Sequence, residues 1–254
     1  MNRKIFSFFL AAVLLTACAP ATPLPSASWT ETTQETSAPI PETTQIATLP
    51  AVTAPEALSA ALAANGMSLQ TLTALGCAQL VTVCADGTSA QICMYALADY
   101  AWQHQEALCC AGFVGRKGVT AQKQEGDKCT PTGLFPITQG FYIGDAVDTG
   151  LSAFPITKDT YWVDDPNSQY YNRHMEGTEQ KDWRSAEHML SHPASYACGF
   201  VIGYNTEAIP HAGSAIFLHV GTKPTAGCIA TDRNSVLSLL ATLDETKTPY
   251  ILIY

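Results

Sequence analysis

The 254 residues carry 13 Lys and Arg against 22 Asp and Glu, a net charge of −9, and no basic residue falls between Lys4 and Arg116. This balance argues against a nucleic-acid-binding surface and against an electrostatic membrane patch, because both need clustered cations. The residues beyond a short leader and tether, roughly 200, are ample for one hydrophobic core.

The chain opens with basic Met1-Asn-Arg-Lys4, an apolar run from Ile5 to Leu15, and then Leu15-Thr-Ala-Cys18. A basic start, a short apolar stretch and small residues before a processing point read as a secretory signal over 1–17. The run is too short to span a bilayer. Leu15-Thr-Ala-Cys18 resembles the lipobox of bacterial lipoproteins, which implies a lipid on Cys18 and attachment to the membrane, each buried CH₂ contributing about 0.8 kcal/mol. An ordinary signal peptide with an incidental cysteine is the alternative. Residues 18–55 are rich in Pro, Thr, Ser and Ala, with Glu31, Glu35 and Glu42 as their acidic members. Such a segment cannot bury enough apolar surface to fold and is expected to be an extended tether.

Glu56 to Asn65, ending in Asn65-Gly66, has the composition and stop signal of a helix, and Ser68 to Leu75 of a second. These form an expected helical extension over 56–77, ahead of a catalytic domain over 78–254. Ala78–Cys84 and Ala90–Tyr95 flank Asp86-Gly87, the signature of a β-hairpin. A helix over 90–108 is the competing reading, since Ala, Leu and Gln are frequent there. Strands are expected at Phe113-Val114, Gly133–Thr138, Tyr196–Tyr204, Ala215–Val220 and Tyr250–Tyr254. Ser185 is expected to cap a short helix through Leu190. Thr231 or Asp232 is expected to cap a helix with Val236, Leu239, Leu240 and Leu243 on one face. The fold class is therefore mainly β with a few helices.

Nine cysteines are many for this length. With Cys18 and Cys228 set aside, seven remain, an odd number whose pairing spacing alone does not give.

Phe217-Leu-His-Val-Gly-Thr-Lys-Pro-Thr-Ala-Gly-Cys-Ile229 carries the chemistry. A thiol is only slightly ionised at neutral pH, so a nucleophilic cysteine needs a base within hydrogen-bond reach. His219 ends one apolar run and Cys228 begins another nine positions on. Gly227 permits a sharp turn and offers a backbone N–H to an oxyanion. Plain packing of both residues remains open, as does a metal site made by His211, His219 and Cys228, although no paired-ligand motif supports it.

This segment resembles the catalytic motif of the L,D-transpeptidase (YkuD-type) family, a His, a variable loop, then Ser/Thr-His-Gly-Cys. His219, Thr225, Gly227 and Cys228 match it. Ala226 stands where the pattern has its second His, and Ala230-Thr231 replace a frequent Arg or Asn. Gly115-Arg-Lys-Gly118, Lys123-Gln-Glu-Gly-Asp127, Thr130–Pro136, Trp162–Pro166 with Tyr171-Asn172, and Gly213–His219 resemble further stretches of a subgroup. Together they span about 112–232.

The resemblance implies that Cys228 attacks the bond before a D-alanine in a peptidoglycan stem peptide, forming a thioester that needs no metal or cofactor. His219 would move the protons, a carbonyl near Val220 would orient it, and the N–H groups of Gly227 and Cys228 would face the oxyanion. A side-chain amine of a second stem would then receive the acyl group; water in its place gives L,D-carboxypeptidase activity. Thr225, Ser214, Tyr204, Asn205, Glu125 and Asp127 are the expected substrate-side residues, with Tyr196 also a candidate for the cleft and Trp162 and Tyr171 for packing. The implied setting is extracytoplasmic, facing the cell wall. A papain-like or NlpC-type peptidase places its Cys before its His, whereas no histidine follows Cys228. An inactive wall-binding lipoprotein is the non-enzymatic alternative. Composition and motif leave the oligomeric state open.

Overall fold

The structure, a computed structural model, describes residues 50–254. The expected signal, Cys18 and most of the tether lie outside the described residues. In chain order the elements are α1 (Glu56–Ala64), α2 (Leu69–Ala74), β1 (Gln79–Asp86), β2 (Ser89–Ala98), β3 (Ala101–Phe113), β4 (Val119–Thr120), β5 (Thr130–Pro131) and β6 (Gly133–Tyr142). They continue with β7 (Ala153–Pro155), β8 (Thr160–Val163), β9 (His174–Glu176), β10 (Ala186–His188), β11 (Cys198–Ile202), β12 (Phe217–Val220), β13 (Ile229–Thr231), α3 (Arg233–Thr242) and β14 (Pro249–Ile253). The mainly β expectation holds. No described helix is long and apolar enough to cross a membrane.

Nine strands form one sheet in the order β11-β12-β13-β3-β2-β1-β14-β6-β7, and β6 also pairs with β11. Residues 133–136 of β6 pair with β14, while its later residues pair with β11 and β7. The hydrogen bonding of eight strands therefore closes into a circuit through β6. The turn at Asp86-Gly87 makes the β1–β2 hairpin as expected, with Asp86 opposite Ser89 and Gly87 at φ 59°. The stretch 90–108 is strand, not helix: β2 and β3 pair from Ser89–Phe113 to Ala98–Ala101. Tertiary pairing overrides the helical propensity of Ala and Gln there.

Successive strand residues point to opposite faces, and here both faces of β1 are covered. Val81 and Val83 join the main core with Ile92, Phe200, Leu218, Ile229 and the buried face of α3. Leu80 faces a second cluster with Leu58, Leu62, Leu72, Trp102 and Leu252, so α1 and α2 pack on the sheet. Asp232 caps α3, accepting the N–H groups of Asn234 and Ser235, and Val236, Leu239, Leu240 and Leu243 are buried as the periodicity demands.

The helix expected from Ser185 to Leu190 is absent. Ala186–His188 instead pair as β10 with Val163–Tyr161 of β8, and only a 3₁₀ turn follows at Met189–Ser191. The reason is tertiary: strand geometry sends Glu187 inward toward the cavity described below. Of the cysteines, Cys93 and Cys109 are joined as a disulfide, while Cys77, Cys84, Cys110, Cys129, Cys198 and Cys228 are free.

Because Leu62 is 1 % exposed within the second cluster, Leu62→Ala is expected to lower unfolding stability by about 2–5 kcal/mol. Urea unfolding of both proteins measures this. A change under about 0.5 kcal/mol, the size of an ordinary surface substitution, would mean that α1 is peripheral to the fold.

Candidate active site

β12 and β13 run parallel, with Leu218 opposite Ile229 and His219 opposite Ala230. Opposed residues share a face of a sheet and alternate residues return to it, so Phe217, His219 and Ala230 project to one side, and Cys228, two residues before Ala230, enters from that side. The chain between the strands, 221–228, folds back along them and delivers Cys228 at the foot of β13. His219 and Cys228 line the same cavity, of about 750 Å³.

The imidazole is oriented by its own strand. His219 Nδ1 lies 2.9 Å from the Val220 carbonyl, which can only accept, so Nδ1 carries the proton and Nε2 is left as the acceptor. Tyr196 packs edge-on against the ring at 5.4 Å and donates its hydroxyl to Glu187 Oε1 at 2.5 Å. Burial holds the His219 pKa below the ordinary histidine value; the Val220 carbonyl partly offsets this and His192 adds to it. The Cys228 thiol donates to the Ala215 carbonyl at 3.1 Å. Burial pushes its pKa up to about 12, and the Glu187 charge adds to this against a backbone hydrogen bond from Phe217 and the charge of Lys123. At neutral pH the pair therefore rests as thiol and neutral imidazole.

The loop before Cys228 is tied at several points. Thr225 Oγ1 donates to the Cys228 carbonyl at 2.6 Å and accepts the Gly227 N–H at 3.1 Å. Thr130 Oγ1 donates to the same carbonyl at 3.2 Å and accepts the Gly115 N–H at 2.8 Å. Arg116 donates to the Thr225 carbonyl from both its backbone N–H and Nε, at 2.9 and 3.1 Å. Gly227 sits at φ 153°, and a Cβ there would lie 3.1 Å from the Cys129 carbonyl, so the position requires glycine. The Gly227 N–H, expected to face an oxyanion, is instead taken by Thr225. The Cys228 N–H has no acceptor among the described residues.

Glu125 and Ser214 both line the cavity. Glu125 Oε2 accepts the hydroxyls of Ser214 at 2.7 Å and of Tyr171 at 2.5 Å, and Tyr171 in turn accepts the Gly213 N–H at 3.0 Å. Asp127 is not in the cavity wall. Burial alone would raise its pKa, but Lys123 at 2.6 Å and the N–H groups of Gln124 and Cys129 hold it below the usual carboxylate value. Asp127 thus anchors Lys123, whose buried stem does reach the cavity. Tyr204 and Asn205 also lie outside the lining. The Tyr204 hydroxyl donates to Ala212, and the Asn205 amide braces Ile209 and Gly213. Asn172 Oδ1 accepts both Trp162 Nε1 at 2.9 Å and the Ala215 N–H at 3.0 Å, fixing the residue whose carbonyl receives the thiol. Trp162 and Tyr171 are buried packing residues. His211 is exposed and lines a separate hollow with Gln124 and Pro210, so it does not join His219 and Cys228.

Asp164 and Glu187 also line the cavity; the resembling stretch Trp162–Pro166 contains Asp164 without singling it out, and Glu187 carried no signal in the sequence. Burial raises the pKa of each; for Asp164 the charges of Glu125 and Asp165 add to it, against a hydrogen bond from Ser185. Asp164 Oδ1 is fully buried with no hydrogen-bond partner among the described residues. A bulge-free pair with Trp162 aims Glu187 inward, which only knowledge of the β8–β10 register could reveal.

No curated protein matches the chain. Among solved structures, the helical cell shape determining protein Pgp2 from Campylobacter jejuni is similar at 15% identity and a TM-score of 0.38, covering 69% of this chain and 47% of that one. The chain thus spans about half the length of that protein. The profile of the YkuD family, the L,D-transpeptidase catalytic domain, matches residues 89–252, which run from the start of β2 to the last residue but one of β14 and take in every residue of the Cys228 cavity. Residues 89–252 being well over half of the chain, the protein belongs to the YkuD L,D-transpeptidase catalytic-domain family.

Proposed function

We propose that this chain is a cysteine-dependent L,D-transpeptidase acting on peptidoglycan stem peptides outside the cytoplasm. The carrying observation is the imidazole whose Nδ1–H is held by the Val220 carbonyl, leaving Nε2 free in the cavity that also holds Cys228. Sγ attacks the carbonyl carbon of the residue before D-alanine while Nε2 accepts the thiol proton. The Cys228 N–H donates to the oxyanion. Collapse breaks the peptide bond, His219 returns the proton to the leaving amine, and D-alanine departs from a thioester. The side-chain amine of a second stem attacks the thioester, giving up its proton to Nε2; the C–S bond breaks, the Cys228 sulfur leaves and takes that proton back as a thiol, and a 3→3 cross-link forms. Water in that role gives L,D-carboxypeptidase activity. None of these steps calls on a metal or cofactor.

The carboxylates of Glu125, Asp164 and Glu187 around the cavity favour a stem bearing a protonated amine. Thr225 is assigned to shaping the nucleophile loop, and Ser214 with Glu125 to the substrate wall. Asp127, Tyr204 and Asn205 are assigned to holding the surrounding loops. The lipid on Cys18 belongs to the same proposal, as the means of holding the enzyme near the wall.

D-alanine release from a disaccharide tetrapeptide tests the assignment. Cys228→Ser is expected to fall to background and His219→Ala to lose about 10²–10⁴-fold, with the double variant little worse than Cys228→Ser. Asp164→Asn is expected to raise KM for a substrate with a free side-chain amine, with no change once that amine is acetylated. Full release by Cys228→Ser would sink the mechanism; an equal KM change on both substrates would remove Asp164 from amine recognition.

The resting neutral pair also sets the pH profile. Burial keeps His219 a free base to lower pH, so the acid limb of kcat/KM is expected below about 6.5, the ordinary histidine value. Because thiol ionisation lies up at about 12, the rate should not climb between neutrality and the ordinary cysteine value of about 8.5. A tenfold rise per pH unit in that interval would instead indicate attack by a preformed thiolate.

Membrane attachment is checked by fractionation. Cys18→Ala protein is expected to leave the membrane fraction or to accumulate unprocessed, and wild-type protein found soluble with an unmodified N-terminus would remove the anchor.

A further inference from the structure

The β2–β3 hairpin contains an irregularity with a chemical content unrelated to the cavity. Ile92 opposes Cys110 and Met94 opposes Gln105, so two steps along β2 are matched by five along β3. The four residues 106–109 stand where β2 has only Cys93, and they set Cys109 against it, where the two sulfurs are bonded. Bulges commonly re-aim side chains in this way. His104, opposite Tyr95, lies beside the bulge with its ring 5.0 Å from the Tyr95 ring and its Nε2 3.0 Å from Cys109 Sγ. Cys93 Sγ, Cys109 Sγ and a His104 ring nitrogen all lie within 4.8 Å of one another, and among the described residues no other three His, Cys, Asp or Glu donors converge this closely.

We propose that, with the disulfide reduced, Cys93, Cys109 and His104 bind one thiophilic divalent cation of the zinc class. Two thiolates and an imidazole are the donor types that zinc takes, at about 2.3 Å to sulfur and 2.0–2.1 Å to nitrogen. Rotation about the Cα–Cβ bonds spreads the sulfurs to the separation of about 3.7 Å that a tetrahedral ion sets between them. Tilted packing against Tyr95, with 37° between the rings, keeps the imidazole beside the sulfurs. His104 is exposed, so the fourth position is open to water. Cys110, the next residue, takes no part: it packs toward the main core, and its sulfur accepts the Thr231 hydroxyl at 3.5 Å.

The disulfide and the metal are mutually exclusive occupants. A phosphine opens the disulfide with water, giving two thiols and the phosphine oxide; the cation then displaces the two thiol protons. Either occupant joins β2 to β3, and β3 carries β13 and therefore the strand that Cys228 begins. The site is thus structural, and it neither needs nor supports the thioester mechanism.

The test uses the full chain. Protein reduced by a water-soluble phosphine and freed of it without oxygen is titrated with Co²⁺. A sulfur-to-cobalt charge-transfer band should saturate at one equivalent per chain and vanish when Zn²⁺ is added. Unreduced wild-type protein should show none of this band, a control that requires no substitution. Cys93→Ser and Cys109→Ser should abolish it, His104→Ala should weaken binding at least tenfold, and Cys110→Ser should leave it unchanged. Circular dichroism before titration excludes variants that fail to fold. No band in the reduced wild type, an equal band without reduction, or a band that survives both cysteine substitutions would overturn the site. D-alanine release is read separately, so loss of the cavity chemistry and loss of the metal site are distinguishable.

Discussion

The arrangement of the Cys228 cavity follows from one constraint: β12 and β13 are parallel neighbours joined by only the eight residues 221–228. Parallel strands normally need a crossover of a dozen or more residues, usually a helix. So short a return must double back tightly along the strands it connects. That is why it needs glycine at 227, why Thr225 folds its hydroxyl between the Gly227 N–H and the Cys228 carbonyl, and why Arg116 and Thr130 brace it from the far side. Sequence stretches more than ninety positions apart meet at a single carbonyl.

The same geometry decides the electrostatics. Cys228 and His219 are each 8 % exposed, so charging either in the resting protein works against desolvation. Glu187, close enough to raise the thiol pKa, deepens this bias, and Tyr196 links that carboxylate to the imidazole's packing. A Cys–His site beside a carboxylate therefore rests uncharged, unlike sites where an adjacent cation stabilises a standing thiolate. Any proton transfer between the two starts from this uncharged state.

Much of this was legible in the sequence because it is local. Asp86-Gly87 specifies its hairpin, Asp232 its helix cap, and the Gly-Cys turn after an apolar strand ending in His the two side chains that share the cavity. Even the carbonyl that orients the imidazole belongs to the very next residue. What escaped is set by long-range pairing. Glu187 lies in a segment whose helical composition is overruled by β8, and nothing in Trp162-Val-Asp-Asp-Pro166 tells Asp164, which faces the cavity, from Asp165, which holds the Arg184 N–H. Asn205 and Tyr204 look like cleft residues by position, yet their polar atoms are spent on their own loop. The Cys93–Cys109 pairing rests on a register slip that spacing cannot express.

The hydrogen-bond circuit through β6 bears on how copies of this protein meet. An open sheet presents rows of unpaired N–H and C=O groups that invite edge-to-edge growth. Here the nine-stranded sheet keeps two unclosed edges: β7, only three residues long and ending in Pro155, which has no N–H to give, and the outer side of β3 before Gly112, since β13 pairs only with Gly112 and Phe113. Strand-to-strand contact between crowded copies would thus start at β3, where the irregularity at 106–109 breaks the straight ladder that such contact needs.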